Sequence, residues 1–162
     1  MEIAKINEKS LRIKSKNTSF IVNPEKKVDE EIVILTEPPA DYSNFQDKIV
    51  ISGPGEYEIG GVSIKSEAGG GGISFDFFEE GQRLVVLSSA ALATSKDTED
   101  AAAVVVFVDG STDKLAQITA DVVAVIGPES ILPADRTNIK KVDKINLKKT
   151  EEYKGFIVYL SK

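Results

Sequence analysis

Short apolar runs, each four to eight residues long, follow one another along this sequence and are separated by Gly, Pro, Asn, Ser or charged residues. Alternating or continuous Val- and Ile-rich runs of this length predict strands rather than helices. The predicted strands are residues 2–6, 11–14, 19–22, 31–36, 49–52, 56–59, 62–65, 73–78, 83–88, 101–108, 121–126, 144–147 and 155–160.

Helical signals are few. Residues 111–120 are the best candidate, because Ser111 or Thr112 offers an N-cap and Leu115 begins an apolar face. Residues 95–102 carry a weaker helical signal. We therefore predict a single domain over residues 1–162, of the α/β class but rich in β-structure, with two mixed sheets packed face to face and few, short helices.

Two glycine-rich segments predict turns of different kinds. Gly53-Pro54-Gly55 predicts a type II turn with a positive φ at Gly55, which would join residues 49–52 and 56–59 as a hairpin.

Residues 69–72 are four consecutive glycines, which predict a flexible excursion from the sheet. Backbone N–H groups of such a loop could cradle a phosphate. No Lys-Ser or Lys-Thr follows, however, and a strand rather than a helix comes next, so the pattern is not a P-loop. We interpret the segment as the mobile remnant of a lost loop.

The chain contains no histidine and no cysteine. Imidazole and thiolate chemistry are therefore closed to it, and no disulfide can form. Its 26 acidic and 20 basic residues give a net charge of −6. This charge argues against a general nucleic-acid binder, which needs a cationic surface.

The charge is uneven along the sequence. Residues 139–162 contain seven Lys and three acidic residues. The simpler interpretation is a solvated surface of strands and loops. The alternative is a basic patch that docks on an acidic surface, such as that of a second copy.

No apolar run approaches the roughly 20 residues that span a bilayer. The first residues, MEIAKINEKSLRIK, alternate apolar and polar side chains, unlike a signal peptide. We expect a cytoplasmic protein without a membrane partner.

Residues 51–64 read ISGPGEYEIGGVSI. This segment closely resembles a hairpin of small metallo-β-lactamase-fold proteins, the lactonase-like zinc-dependent hydrolase group. Residues 11–24 (LRIKSKNTSFIVNP), 83–90 and 142–149 (VDKINLKK) resemble the group's opening strands, its R-I-x-H-x-G-D strand and its C-terminal tail, in that order. The resemblance implies a metallo-β-lactamase-like sandwich over nearly the whole chain.

The departures from that group concern its metal ligands. The group binds metal through H-x-H-x-D-H after a strand that ends in Thr or Ser. Here the predicted strand that ends at Thr36 is followed by six other residues: Glu37, Pro38, Pro39, Ala40, Asp41 and Tyr42. Only Asp41 keeps the residue type of the group.

The resemblance places the remaining ligand positions at Glu67-Ala68, at Ser89 and near Gly127-Pro128. None of these is a histidine, and the bridging aspartate is replaced by Ser89. We interpret Glu37, Pro39, Asp41, Tyr42 and Ser89 as the positions of a vanished metal site, and we expect neither a metal nor another cofactor.

Two catalytic alternatives remain open. Glu37 and Asp41, with Glu67, could form an oxygen cluster for Mg²⁺, Mn²⁺ or Ca²⁺, although loop-surface acids are the simpler interpretation. Ser88-Ser89 could be nucleophiles. Because no histidine base and no Ser-x-x-Lys motif is present, serines that end a strand are the better interpretation.

The hairpin motif comprises Gly53, Pro54, Gly55, Glu56, Tyr57 and Glu58. We interpret it as framework, retained for folding or assembly, with a binding role as the alternative.

The sequence as a whole predicts a non-catalytic, metal-free module for binding or assembly, which pairs with itself or with an active relative. The alternatives are a hydrolase with a carboxylate-bound divalent metal, and a small-ligand binder that uses the vacated cleft.

Overall fold

A computed structural model of the chain describes residues 1–91, 97–110 and 113–161. Fourteen strands occur in these residues. Their bounds are β1 Glu2–Asn7, β2 Ser10–Lys14, β3 Ser19–Val22, β4 Ile32–Ile34, β5 Ile49–Ile51, β6 Gly55–Ile59, β7 Val62–Gly69, β8 Gly72–Glu79, β9 Gln82–Ser88, β10 Ala103–Phe107, β11 Val123–Ile126, β12 Ile139–Val142, β13 Lys144–Asn146 and β14 Ile157–Leu160.

The strands form two mixed sheets. The six-stranded sheet has the order β13-β1-β2-β3-β4-β5, and the eight-stranded sheet has the order β12-β14-β11-β10-β9-β8-β7-β6. Strands β3, β4 and β5 are parallel to one another, as are β9, β10, β11, β14 and β12. The predicted β-rich architecture of two mixed sheets is confirmed.

The largest core lies between the two sheets. It combines inward-facing residues of the six-stranded sheet, such as Ile13 and Phe20, with those of the eight-stranded sheet, such as Phe77 and Val105. The rings of Phe20 and Phe77 meet edge to face with centroids 5.5 Å apart. Contacts of this kind hold the sheets together, since apolar burial is the main favourable contribution to folding.

Each sheet also has a smaller core on its outer face. Val104, Val106 and Leu87 of the eight-stranded sheet pack with Leu115. Because several central strands are covered on both faces, they are continuous apolar runs rather than alternating ones.

Helical structure is limited to short 3-10 helices in the described residues, at Ser43–Phe45, Asp113–Gln117, Glu129–Ile131 and Leu147–Tyr153. The helix predicted at 111–120 is one such turn, and its proposed caps, Ser111 and Thr112, lie outside the described residues. Residues 97–102 form no helix, which makes that part of the 95–102 prediction wrong.

The predicted hairpin between 49–52 and 56–59 is also wrong. Strand β5 is the last strand of one sheet and β6 is the last strand of the other. Gly53-Pro54 therefore carries the chain across the sandwich. Gly55 begins β6, and its φ is not positive, so the predicted type II turn does not form.

The glycine run at 69–72 is not a flexible excursion either. Gly69 pairs with Gly72 across the β7–β8 ladder, which leaves Gly70 and Gly71 as a two-residue turn with φ values of 63° and 92°. Positive φ at both central residues matches the twist of the adjoining strands, and glycine reaches it at little steric cost.

Candidate functional site

A cleft opens where strands of both sheets end. The residues after β3 and β4 and the last residues of β9, β10 and β11 surround a cavity of about 420 Å³. The carboxyl ends of neighbouring parallel strands are where ligands usually bind in mixed α/β sheets. The lining residues are Glu8, Lys9, Asn23, Pro24, Glu25, Leu35, Thr36, Glu37, Pro39, Phe45, Ser88, Ser89, Phe107, Val108, Asp109 and Ile126.

On the six-stranded side, Asn23 holds the end of β4 in place. Its Oδ1 accepts a hydrogen bond from the Thr36 backbone N–H at 2.9 Å, and its Nδ2 donates to Thr36 Oγ1 at 2.9 Å. Asn23 has a φ of 50°, a conformation that Asn tolerates better than most residues. Asn23 was not among the predicted site residues, although an Asn that follows a strand and precedes Pro24 was a usable signal.

On the eight-stranded side, two serines end β9. The Ser88 hydroxyl is buried and accepts a hydrogen bond from the Ala91 backbone N–H at 3.2 Å. The Ser89 hydroxyl donates to Asp109 Oδ1 at 2.7 Å. Asp109 follows β10 and was also missed by the sequence analysis, although it is an acid directly after a buried run.

The β7–β8 turn packs against the same region. The backbone N–H of Ile73 donates to the Thr36 carbonyl at 2.7 Å, which links the two sheets. A Cβ at Gly72 would lie 2.3 Å from Ser88 Oγ. The glycine run is therefore a tightly packed part of this region.

Three of the five predicted metal-site positions border the cavity: Glu37, Pro39 and Ser89. Asp41 and Tyr42 are exposed and are not among its lining residues. The Tyr42 hydroxyl lies 3.0 Å from Ser52 Oγ. The structure thus brings together only part of the predicted set.

The carboxylate of Asp41 takes part in a local turn. Its two carboxylate oxygens accept hydrogen bonds from the Ser43 backbone N–H at 2.9 Å and from the Ser43 hydroxyl at 2.6 Å. These bonds, the hydroxyl's first, lower the pKa of Asp41 below its ordinary value. Asp135 makes the same bonds with Thr137, and its pKa is lowered for the same reason. Such turns are common for Asp in loops and need no ligand.

Glu67 is not a partner for Glu37 or Asp41. It lies on β7, where its carboxylate forms an ion pair with Lys65 at 2.9 Å. Across the described ranges, no group of three or more His, Cys, Asp or Glu side chains is arranged to hold a metal ion.

Gly127, near the last predicted ligand position, has no room for a side chain. A Cβ there would lie 2.4 Å from the Val108 carbonyl oxygen. Because that oxygen belongs to the backbone, a histidine at position 127 would require β10 and β11 to separate.

The hairpin motif lies away from the cavity and is held by its own contacts. Ser66 on β7 donates its hydroxyl to the Gly53 carbonyl at 2.7 Å, and the Tyr57 hydroxyl donates to the same carbonyl at 3.5 Å. Glu56 and Glu58 are exposed on β6, whereas Tyr57 is half-buried. Pro54 is exposed in the crossing segment. These contacts favour the framework interpretation over a binding role.

The basic segment 139–162 is largely neutralised by contacts within the chain. Four of its lysines form ion pairs: Lys141 with Glu129, Lys144 with Glu2, Lys148 with Glu80, and Lys154 with Glu151 and Asp121. Lys140 donates to the Glu152 carbonyl at 2.8 Å. This pairing favours a solvated surface over a docking patch. Lys162 lies outside the described residues.

No family model and no curated protein matches the chain. Solved structures do. A proposed Zn-dependent hydrolase of the metallo-β-lactamase superfamily from Thermotoga maritima aligns with a TM-score of 0.63, at 16% identity, over 98% of each chain. The chain has the metallo-β-lactamase fold. The metallo-β-lactamase fold protein YhfI from Bacillus subtilis aligns with a TM-score of 0.58, at 12% identity, over 99% of this chain and 96% of the other.

The resemblance stated from the sequence is therefore confirmed at the level of the fold. The zinc that the first of these names implies does not fit this chain. Structural and catalytic zinc sites use His, Cys and carboxylate ligands converging on one point. This chain has no His or Cys, and its carboxylates do not converge within the residues that the structure describes.

None of the described helices is long and apolar enough to cross a membrane.

Proposed function

We propose that this metallo-β-lactamase-fold protein is non-catalytic and metal-free, and that it acts as a binding or assembly module. The observation that supports this most directly is the state of the strand ends. They enclose a cavity, but the side chains there are Thr36, Ser88, Ser89 and Asp109, of which only Asp109 is of a type that commonly binds a metal ion.

The serines at the end of β9 also support a non-catalytic protein over a metal-independent hydrolase. The Ser89 hydroxyl donates a hydrogen bond to Asp109, an exposed carboxylate, and carboxylates are weaker bases than the imidazole of histidine. Ser88 accepts from a backbone N–H, and no base lies within hydrogen-bond distance of it in the described part of the chain. An activated nucleophile needs an adjacent base.

Metal analysis of the purified chain tests the proposal. Elemental analysis is expected to find far less than one Mn, Zn or Fe per chain, and a panel of ester, lactone and phosphodiester substrates should show no turnover above buffer. Stoichiometric metal that disappears in the Glu37→Ala/Asp41→Ala variant would instead support the alternative, a hydrolase with a carboxylate-bound divalent metal. Glu58→Ala, an exposed acid on β6, is the matched control.

The assembly part of the proposal has its own support. Strands β5 and β6 are the end strands of the two sheets and follow each other along the chain. Ile49 on β5 is 46% exposed. An exposed end strand with an apolar residue is a template for pairing with a second copy or with an active relative.

Light scattering is expected to show a dimer, and Ile49→Lys should shift the monomer–dimer equilibrium toward the monomer. If the protein is strictly monomeric at high concentration and no partner co-purifies with it, the proposed role in assembly is wrong.

A further inference from the structure

We infer that the strand-end cavity is a binding site for a small organic ammonium ion, a ligand with one positive head group and an apolar body. The inference rests on the proposed function, since it assigns the cavity to binding rather than to metal-dependent catalysis.

The size and floor of the cavity suit such a body. Its volume of about 420 Å³ lies within the range of small-molecule pockets, roughly 300–1,000 Å³. Leu35, Phe45, Val108 and Ile126 are buried apolar residues that line it. An alkyl or aryl group placed against them would leave water, which favours binding.

The charged residues of the lining are strongly one-sided. Four carboxylates, Glu8, Glu25, Glu37 and Asp109, face one basic side chain, Lys9. Lys9 already forms an ion pair with Glu25, since its Nζ lies 3.3 Å from Glu25 Oε1. No other ion pair to Glu8, Glu37 or Asp109 occurs among the described residues.

Asp109 is the best-placed partner for the head group. Its Oδ1 accepts from the Ser89 hydroxyl, which orients the carboxylate, and its Oδ2 remains available as an acceptor. The buried residues Thr36 and Ser88 line the same cavity. Each hydroxyl oxygen already accepts one hydrogen bond, from the Asn23 amide and from the Ala91 N–H respectively, and has a second lone pair for an N–H donor. An ammonium group, with three or fewer donors and no acceptor, matches this set.

The same charges oppose anionic ligands. A phosphate or carboxylate would have to approach three carboxylates without an ion-pair partner, Glu8, Glu37 and Asp109, and the one cation among the described lining residues is paired with Glu25. Like charges at short range are unfavourable even near a protein surface. Cations should therefore bind better than anions of equal size.

A charge series with a constant apolar body tests this inference. The full-length chain, dialysed against EDTA, is titrated with hexylammonium, hexanol and hexanoate, and binding is followed by ligand-observed NMR. Hexylammonium is expected to bind about tenfold or more tightly than hexanoate, with hexanol in between. Nα-acetyl-lysine amide tests whether the ammonium comes from a lysine side chain, which tighter binding than hexylammonium would indicate.

Two substitutions in the cavity lining should change the affinity for hexylammonium in opposite directions. Asp109→Asn should weaken hexylammonium binding about two- to fivefold, since an exposed charge pair contributes modestly. Lys9→Gln should strengthen it by a similar factor, because it frees Glu25. Glu58→Gln, outside the cavity, should leave it unchanged. Two substitutions that merely disturbed the fold would both weaken hexylammonium binding, and would not change its affinity in opposite directions.

Three outcomes would overturn the inference: hexanoate binding as well as hexylammonium, no binding of any of the three, or Asp109→Asn and Lys9→Gln shifting affinity in the same direction. These outcomes are distinct from a failure of the proposed function. The proposed function is tested by metal content and turnover, which are measured on protein that has not been treated with EDTA. The ammonium site is tested separately, by the preference for cations over anions in EDTA-treated protein.

Discussion

The hairpin motif and the strand-end cavity differ in the contacts that their polar groups make. At the motif, the hydroxyls of Ser66 and Tyr57 both donate to the Gly53 carbonyl, so this carbonyl is satisfied by neighbouring framework residues. At the cavity, Asn23 and Thr36 are clamped to each other, but carboxylates face the open space. Hydrogen bonds therefore fix the backbone of both regions, but the cavity also combines acidic residues with a buried apolar floor.

Gly127→Ala tests most strongly how rigid the cavity end of the sheet is. The added Cβ would overlap the Val108 carbonyl oxygen at 2.4 Å, and backbone cannot rotate away. We expect a loss of about 3 kcal/mol in unfolding free energy, measured by urea denaturation.

Gly53→Ala is the matched control in the hairpin motif. No heavy atom lies within 4 Å of its added Cβ and its φ is not positive, so the change should stay within about 0.5 kcal/mol. If the two substitutions change the unfolding free energy equally, the backbone at the strand ends accommodates a side chain as easily as the crossing segment does.

Asn23→Ala should have the next largest effect. It removes both hydrogen bonds to Thr36, leaves a buried backbone N–H without its acceptor, and places Ala at a φ of 50°. We expect a loss of about 2 kcal/mol in chemical denaturation. Asn23→Asp keeps an acceptor for the Thr36 N–H and should lose less than half as much; identical losses would mean that the amide donor matters most.

Ser66→Ala is the corresponding change in the hairpin motif. It removes the hydroxyl that donates to the Gly53 carbonyl at 2.7 Å. We expect a loss of about 1 kcal/mol by the same method, because one neutral hydrogen bond is lost. Hexylammonium binding should not change. A change in binding would contradict the separation of the two regions.

The smallest expected effect concerns the turn at Asp41. Hydrogen bonds from Ser43 lower the pKa of Asp41 from its ordinary value of 3.8. A lowered pKa means that the turn's contribution to stability is present above the ordinary value and is lost as pH falls through the folded pKa. Carbon-13 NMR of the carboxyl group should show Asp41 titrating below its ordinary value in the native chain.

Ser43→Ala should raise that pKa toward the ordinary value and leave Asp135 unaffected. A titration of Asp41 unmoved by Ser43→Ala would mean that another group, such as a bound cation, stabilises the carboxylate.

Much of the fold could be predicted from local patterns. Strands β8 and β9, for example, match the apolar runs predicted at 73–78 and 83–88, and they pair with little chain between them. Strand β12 was missed because its residues, IKKV, carry two lysines and resemble a loop. Its pairing with β14 is decided by the neighbouring strand.

The candidate site could be predicted only in part. Glu37, Pro39 and Ser89 border the cavity as strand-end positions should. Asp41 and Tyr42 do not, since a turn closed by Ser43 directs the loop elsewhere. Asn23 and Asp109 contribute to the site through contacts with residues 13 and 20 positions away, which no local pattern reports.

Most of the strands, and the absence of imidazole and thiolate chemistry, follow from the sequence, because strand patterns are local and the lack of histidine and cysteine needs no coordinates. Tertiary structure alone decided that the glycine run is a packed turn, that Gly53-Pro54 crosses between sheets, and that carboxylates gather around a cavity instead of around a metal. The physical reason is that strand pairing and cavity lining depend on residues far apart in sequence, which meet only when the two sheets bury their shared core.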